Sequence, residues 1–175
     1  MLLLSLILLV VVIYFVFFIS QFYNVTFKNY PPFVPTDRET VREIIAAVQI
    51  PEQATIYELG CGRALFLREV EKAYPKTKLI GLENLFSLYL LTKIHLKLRR
   101  SKIELLKGDF FKVNLGNAAL IYCYLNNTTM TRLGEKFKRE CRSGTQIISR
   151  SFILPGFEPE KVVRIKNKPV YFYKI

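Results

Sequence analysis

The feature that most constrains this chain is its N-terminal stretch of 27 residues, which carries no charged side chain. Leu2 to Ile19 is apolar except for Ser5. As a helix rising about 1.5 Å per residue, this run would extend about 27 Å, close to the hydrocarbon thickness of a bilayer. The charged residues begin at Lys28, so the sequence divides into an apolar segment and a charged domain.

The apolar segment is predicted to be one transmembrane helix that contacts the lipid bilayer through Leu2–Tyr23. The alternative is a cleaved signal peptide, which has a basic start, an apolar core of about 7–15 residues and a small-residue cleavage site. This run is longer, and no basic side chain precedes it. Because basic residues follow the segment, the positive-inside rule predicts a single-pass membrane protein with its domain on the cytoplasmic side, or the matrix side in a mitochondrion.

Three regions are predicted along the chain: an anchor at 1–27, a Pro-rich linker at 28–37 and one domain at 38–175. Three prolines between Asn29 and Asp37 favour extended backbone in the linker. A hydrophobic content of 51% excludes a disordered chain, and three cysteines are too few for a disulfide scaffold.

Apolar periodicity in the domain predicts strands that alternate with helices. The predicted strands are Thr55–Leu59, Lys78–Leu82, Ile103–Leu106, Ala118–Leu125 and Gly144–Phe152, and the predicted helices are Arg38–Val48, Arg63–Tyr74, Leu85–Arg99 and Thr128–Cys141. Lys161–Ile165 and Val170–Tyr173 are predicted to form a hairpin, and the third helix is expected to place Leu88, Leu91, Ile94 and Leu98 on one side. This order predicts an α/β fold, a compact Rossmann-like sheet with a terminal antiparallel hairpin, preceded by the transmembrane helix.

Candidate ligand-binding residues follow the first three strands, where open α/β sheets bind their ligands. After the first strand, Glu58 is followed by a turn in which two glycines let the backbone approach a ligand at a helix N-terminus. Glu83 ends the second strand, where a carboxylate can accept hydrogen bonds from both hydroxyls of a ribose. Asp109 ends the third, placed to accept from an adenine amino group, with Phe110 covering the ring.

Each of these signals has a simpler interpretation, because Gly-x-Gly turns are common, Glu83 could cap the next helix and Asp109 could be a turn residue. Leu65 stands where a nicotinamide-binding fingerprint needs its third glycine, which argues against that class of enzyme. A single histidine, His95, and three scattered cysteines predict no metal site.

The series ELGCG, GLE and GDFF resembles the motifs of class I S-adenosylmethionine-dependent methyltransferases. Two further stretches, PPFVPTD before the first helix and ISRSFILPGFEP near the end, narrow the resemblance to the small membrane-anchored protein-lysine methyltransferases. Mitochondrial members of that family modify the adenine nucleotide translocase and the ATP synthase c subunit. The resemblance implies S-adenosyl-L-methionine as cofactor and a membrane-embedded or membrane-proximal protein as substrate. The predicted cofactor-binding residues are Thr36, Glu58, Gly60, Cys61, Gly62, Glu83, Asp109 and Phe110.

The chain departs from the family pattern at the first motif. The family usually has Gly-Asp-Gly-Arg where this chain has Gly62-Arg63-Ala64-Leu65. An inactive, cofactor-binding membrane protein therefore remains an alternative to an enzyme.

Methyl transfer requires an unprotonated nucleophile held in line with the methyl group, so positioning supplies most of the catalysis. A lysine amine has a pKa near 10.4 in solution, and the site must favour its neutral form. Tyr124 and Asn126, after the fourth strand, are predicted to orient that amine as catalytic residues. The alternative places Tyr124 in the core and makes Asn126 a helix cap.

The net charge of +12 is concentrated in three basic stretches of the domain. Nucleic-acid binding is one interpretation, which keeps an RNA methyltransferase as an alternative function. For a tethered domain, anionic lipid headgroups explain the charge more simply, at roughly 1 kcal/mol per basic residue near the surface. A nucleic-acid partner is therefore not expected.

Overall fold

The computed structural model describes residues 1–28 and 33–175. Its first helix, α1, spans Leu2–Lys28, and the predicted linker falls partly on residues 29–32, outside the described residues. The domain follows as α2 Arg38–Ala46, β1 Thr55–Leu59, α3 Leu65–Ala73, β2 Lys78–Glu83, α4 Phe86–Leu98, β3 Glu104–Lys107, a 3-10 turn Phe110–Lys112, β4 Leu120–Cys123, α5 Asn127–Glu140, β5 Gln146–Arg150, β6 Lys161–Ile165 and β7 Lys168–Lys174. Within the domain, every predicted helix and strand is present, with its ends within two residues of those expected.

Seven strands form one sheet in the order β3-β2-β1-β4-β5-β7-β6. The first five in that order are parallel, whereas β7 runs antiparallel to both β5 and β6. The chain reverses direction across the sheet between β1 and β4, and a switch of this kind opens a crevice at the carboxyl ends of the two strands. The predicted α/β sheet with a terminal antiparallel hairpin is thereby confirmed.

Both faces of the sheet are covered, which explains the continuous apolar runs of its central strands. Successive side chains of a strand point to opposite faces. In β4, Leu120 and Tyr122 pack into the core cluster that includes α2 and α3, while Ile121 and Cys123 pack into the cluster formed with α5. The central strand therefore has no solvent-facing side, and polar groups can enter only at its ends.

The terminal hairpin turns on two residues, Lys166 and Asn167, rather than on the four expected. Both have left-handed backbone, with φ of 47° and 64°, as tight hairpin turns of this twist require. The Lys166 ammonium reaches Asp37 at 2.8 Å and Glu39 at 2.6 Å. The C-terminal hairpin is therefore tied to the start of α2.

Of the four apolar residues expected on one side of α4, Leu88 alone is buried. The structure buries Leu88, Thr92 and Leu96, whereas Leu91, Ile94 and Leu98 are exposed. α4 is apolar on nearly every side, so the periodicity of its sequence could not select one face over another.

Among the residues that the structure describes, no helix has the combined length and hydropathy needed to cross a membrane.

Candidate functional site

A cavity of about 260 Å³ lies at the carboxyl ends of β1, β2 and β4. Its walls come from the loops that follow these strands and from residues 33–36, before α2. Eight of the ten predicted site residues line it: Thr36, Glu58, Gly60, Cys61, Gly62, Glu83, Phe110 and Tyr124. The other two, Asp109 and Asn126, lie outside the lining.

The turn after β1 requires both of its glycines. Gly60 and Gly62 have left-handed backbone, with φ of 72° and 53°, and the amide nitrogens of Gly60 and Cys61 both donate to the carbonyl oxygen of Leu82 at 2.9 Å. A Cβ added at Gly62 would lie 2.5 Å from Cε2 of Phe33. A side chain at Gly62 would therefore displace the Phe33 ring and would also sit on left-handed backbone.

Glu83 joins the turn after β1 to the start of α4. Its Oε2 accepts from the amide of Gly62 at 2.9 Å, and its Oε1 accepts from the amide of Leu85 at 2.8 Å. Burial raises the pKa of Glu83, while these backbone donors oppose that rise. Each carboxylate oxygen has two lone pairs, so Glu83 retains acceptor capacity toward a ligand in the cavity.

Glu58 is the second buried carboxyl group of the cavity. Its Oε2 accepts from the amide of Leu67 in the first turn of α3, at 3.3 Å. Burial is the main cause that raises the pKa of Glu58 to about 8, and the nearby charge of Glu83 raises it further. Burial also raises the pKa of Cys61, helped by the same two carboxyl groups. One wall of the cavity therefore carries two carboxyl groups, and burial keeps Glu58 mostly protonated at neutral pH.

The third strand contributes an aromatic side chain rather than its carboxylate. Phe110 is buried and lines the cavity. Asp109 accepts from the amide of Phe111 at 2.9 Å and so caps the 3-10 turn. The contact between Asp109 and an adenine ring stays a prediction. The hydrogen bond that Asp109 makes in the structure is the one expected of a turn residue.

The two predicted catalytic residues occupy different places. Tyr124 lines the cavity, and its hydroxyl accepts from Nζ of Lys168 at 3.0 Å. Asn126 lies two residues further along the chain, where its side chain caps α5 by accepting from the amide of Thr129 at 2.9 Å. The structure therefore brings Tyr124 alone of this pair to the cavity.

Arg150 was not predicted, although it belongs to the ISRSF stretch. It is the last residue of β5, only 5% exposed, and its guanidinium lies 4.6 Å from the ring centroid of Tyr124. One of its terminal nitrogens donates to Oγ1 of Thr36 at 2.6 Å. The sequence shows an arginine at the end of an apolar strand, which is a signal for a functional residue. It does not show the partner of Arg150, because Thr36 lies 114 positions away.

Within residues 1–28 and 33–175, no cluster of three or more histidine, cysteine or acidic side chains could hold a metal ion.

Comparison with known proteins agrees with this geometry. The model of the family described as the ANTKMT methyltransferase domain matches residues 58–161, which begin at Glu58 near the end of β1 and include β2 to β5. A protein-lysine N-methyltransferase of Saccharolobus islandicus (strain REY15A) is 26% identical over 150 residues, covering 82% of this chain and 93% of that relative.

Solved structures share the fold. An RNA methyltransferase from Salinibacter ruber, solved in complex with S-adenosyl-L-homocysteine, superimposes with a TM-score of 0.76 at 21% identity over 81% of this chain and 94% of that one. A precorrin-6y C5,15-methyltransferase from Geobacter metallireducens superimposes with a TM-score of 0.63 at 14% identity, over 80% and 87% of the two chains. At these identities the likeness concerns the fold alone.

Proposed function

We propose that this chain, which belongs to the family of the ANTKMT methyltransferase domain, transfers the methyl group of S-adenosylmethionine to lysine side chains of a protein. The observation that carries the proposal is the position of the family match, because its residues 58–161 supply most of the cavity's walls. The lysine acceptor is supported by the Saccharolobus relative, which is described as a protein-lysine N-methyltransferase.

The residues of the cavity fit this cofactor. Glu83 offers carboxylate oxygens to ribose hydroxyls. Glu58 is mostly protonated in the empty cavity, and a cationic group bound beside it would favour loss of that proton. Gly62 lets the ring of Phe33 pack directly on the turn after β1, and Phe110 provides an apolar surface for an adenine ring. When bound, S-adenosylmethionine supplies an electrophilic methyl group on a positively charged sulfur.

The protein's task is then to present a neutral amine in line with that methyl group. The Tyr124 hydroxyl oxygen has two lone pairs, of which one accepts from Lys168, so the other can accept from the amine and orient it. The Arg150 guanidinium on the ring of Tyr124 and the Lys168 ammonium at its hydroxyl both disfavour a second cation nearby. The neutral form of the substrate lysine is therefore favoured at Tyr124.

The same proposal includes attachment to a bilayer through Leu2–Tyr23, with the domain on the cytoplasmic side, or the matrix side in a mitochondrion. Its support is the side-chain exposure along α1, where Leu3, Leu8 and Phe15 are 71%, 65% and 62% exposed. The basic residues that follow the segment support the orientation. A membrane-embedded or membrane-proximal protein is then the substrate.

A second candidate, an RNA methyltransferase, is favoured by the fold likeness to the Salinibacter enzyme and by the net charge of +12. One experiment separates the two acceptors. The full chain, in phospholipid vesicles, is incubated with membrane proteins, RNA and methyl-labelled S-adenosylmethionine. The proposal predicts label in protein, recovered by mass spectrometry as methylated lysine. Label confined to RNA, or no transfer to either acceptor, would contradict it.

A further inference from the structure

The outward side of α4 carries a row of exposed apolar side chains. Five large side chains are exposed there: Phe86 by 59%, Leu90 by 43%, Leu91 by 57%, Ile94 by 50% and Leu98 by 80%. They lie opposite the buried residues Leu88, Thr92 and Leu96, which pack toward the sheet. We call these five residues the α4 stripe.

The α4 stripe is continuous rather than scattered. Phe86, Leu90, Ile94 and Leu98 recur every four residues, and side chains at that spacing are neighbours on a helix surface. Single exposed apolar residues are ordinary on soluble proteins, whereas a contiguous row marks a surface that another apolar phase covers.

Basic side chains surround the α4 stripe, and no acidic residue lies between Glu83 and Glu104. The Lys107 ammonium lies 5.0 Å from the ring centroid of Phe86, beside the first residue of the stripe. Six exposed cations flank the stripe, and none of them forms an ion pair with a carboxylate of the described chain: Lys93, Lys97, Arg99, Arg100, Lys102 and Lys107.

We propose that the α4 stripe lies in the interface of an anionic phospholipid bilayer. Apolar side chains bordered by lysine and arginine are the arrangement of helices that bind in the plane of a membrane. The stripe would enter the boundary between headgroups and acyl chains, while the flanking cations contact lipid phosphates. A second copy of this chain fits less well, because the same six cations would face one another across the contact.

Contact between the α4 stripe and a bilayer would also determine where the cavity lies relative to the membrane. Leu85 and Leu88, at the start of α4, line the cavity, so a bilayer against the α4 stripe would hold the cavity beside the membrane surface. This consequence rests on the proposed function, since it makes lysines at a membrane surface the accessible substrates. The lipid contact itself does not depend on methyl transfer.

Because the chain contains no tryptophan, one introduced tryptophan reports on one position. The full chain carrying Leu91→Trp is reconstituted in vesicles of phosphatidylcholine and phosphatidylglycerol whose acyl chains are brominated, which quenches tryptophan emission on contact. The matched control is Val162→Trp, 50% exposed on β6 at the opposite edge of the sheet from β3 and α4. Leu8→Trp reports separately on α1.

We expect the brominated acyl chains to quench about half of the Leu91→Trp emission and to leave Val162→Trp nearly unchanged. Replacing phosphatidylglycerol by phosphatidylcholine should reduce the quenching of Leu91→Trp. Adding Ile94→Glu and Leu98→Glu to Leu91→Trp should abolish it, since both side chains are exposed and their replacement leaves the core intact.

Equal quenching of Leu91→Trp and Val162→Trp would overturn the proposal, even if Leu8→Trp is strongly quenched. A concentration-dependent blue shift of Leu91→Trp in the absence of lipid would also overturn it, in favour of a second copy covering the stripe. Calorimetric binding of S-adenosylmethionine to the same variants tests the proposed function separately, because neither outcome of the quenching alters it.

Discussion

At the scale of single residues, the cavity places two carboxyl groups, Glu58 and Glu83, in the protein interior. Burial of a carboxyl group disfavours its charged form, and a folded protein then holds the proton more tightly than the unfolded chain does. Glu58 therefore holds its proton to a higher pH in the folded protein than in the unfolded chain. The pH dependence of folding reports on them directly.

The first prediction concerns Glu58, whose pKa is raised to about 8 by burial. Between about pH 5 and pH 8 the folded state binds more protons at this site than the unfolded state, so the free energy of unfolding falls as pH rises. Glu58→Gln removes this contribution. Relative to Glu58→Gln, the wild type should lose roughly 2–4 kcal/mol across that range, measured by urea unfolding at several pH values. If the difference in unfolding free energy between the wild type and Glu58→Gln does not change with pH, Glu58 is not held protonated by burial.

The second prediction concerns Ala64, at the position where the resembled family has a glycine. Ala64 begins α3 with left-handed backbone, φ 52° and ψ 38°, which costs an L-residue about 1–2 kcal/mol. Ala64→Gly relieves this strain but removes a buried methyl group. A net gain of up to about 1 kcal/mol in the free energy of unfolding is expected, and a loss of more than about 1 kcal/mol would show that the strain is absent.

At the scale of elements, the cavity depends on the segment of residues 33–37, which precedes α2. Arg150 at the end of β5 holds Thr36, and Lys166 in the hairpin turn holds Asp37 at 2.8 Å. The hydrogen bond from Lys166 is the main reason that the pKa of Asp37 lies well below its usual range. The end of β5 and the hairpin turn, both distant in sequence, therefore hold in place the segment that faces the glycine turn.

The third prediction tests that wall. Thr36→Val keeps the shape of the side chain and removes the acceptor of the Arg150 hydrogen bond, so S-adenosylmethionine should bind about tenfold more weakly. Arg150→Gln should have a similar effect, and the double variant should be little worse than either, measured as dissociation constants in a double-mutant cycle. Thr131→Val, which removes an exposed hydroxyl on α5, is the matched control. If the losses of binding free energy caused by Thr36→Val and Arg150→Gln add in the double variant, the two residues do not act through one shared hydrogen bond.

Sequence reasoning predicted the domain's elements because their signals are local: Asp37 caps α2, and apolar runs mark β1 and β4. It reached most of the cavity because strand ends meet at one edge of a parallel sheet. It missed Arg150, whose partner is distant in sequence, and the inner face of α4, where apolar residues occur on all sides. Asp109 and Asn126 were expected in the site, but each side chain bonds to a backbone amide nearby.

At the scale of the whole molecule, the apolar excess and the positive charge have separate places. Apolar side chains are exposed along α1 and along the α4 stripe, while basic residues surround the latter. The cavity lies next to α4, and the remaining apolar residues fill the two core clusters on either face of the sheet. This distribution fits a small methyltransferase that works against a membrane better than one that works on nucleic acid.

The central claim is that the cavity after β1 and β2 binds S-adenosylmethionine, and calorimetric titration of the full chain tests it most directly. Two alanine variants make the comparison specific. A Cβ at Gly62 meets Phe33 at 2.5 Å on left-handed backbone, whereas a Cβ at Gly108 meets nothing within 4 Å. The wild type and Gly108→Ala should bind equally, and Gly62→Ala at least about tenfold more weakly. No binding by the wild type, or equal binding by a folded Gly62→Ala protein, would contradict the claim.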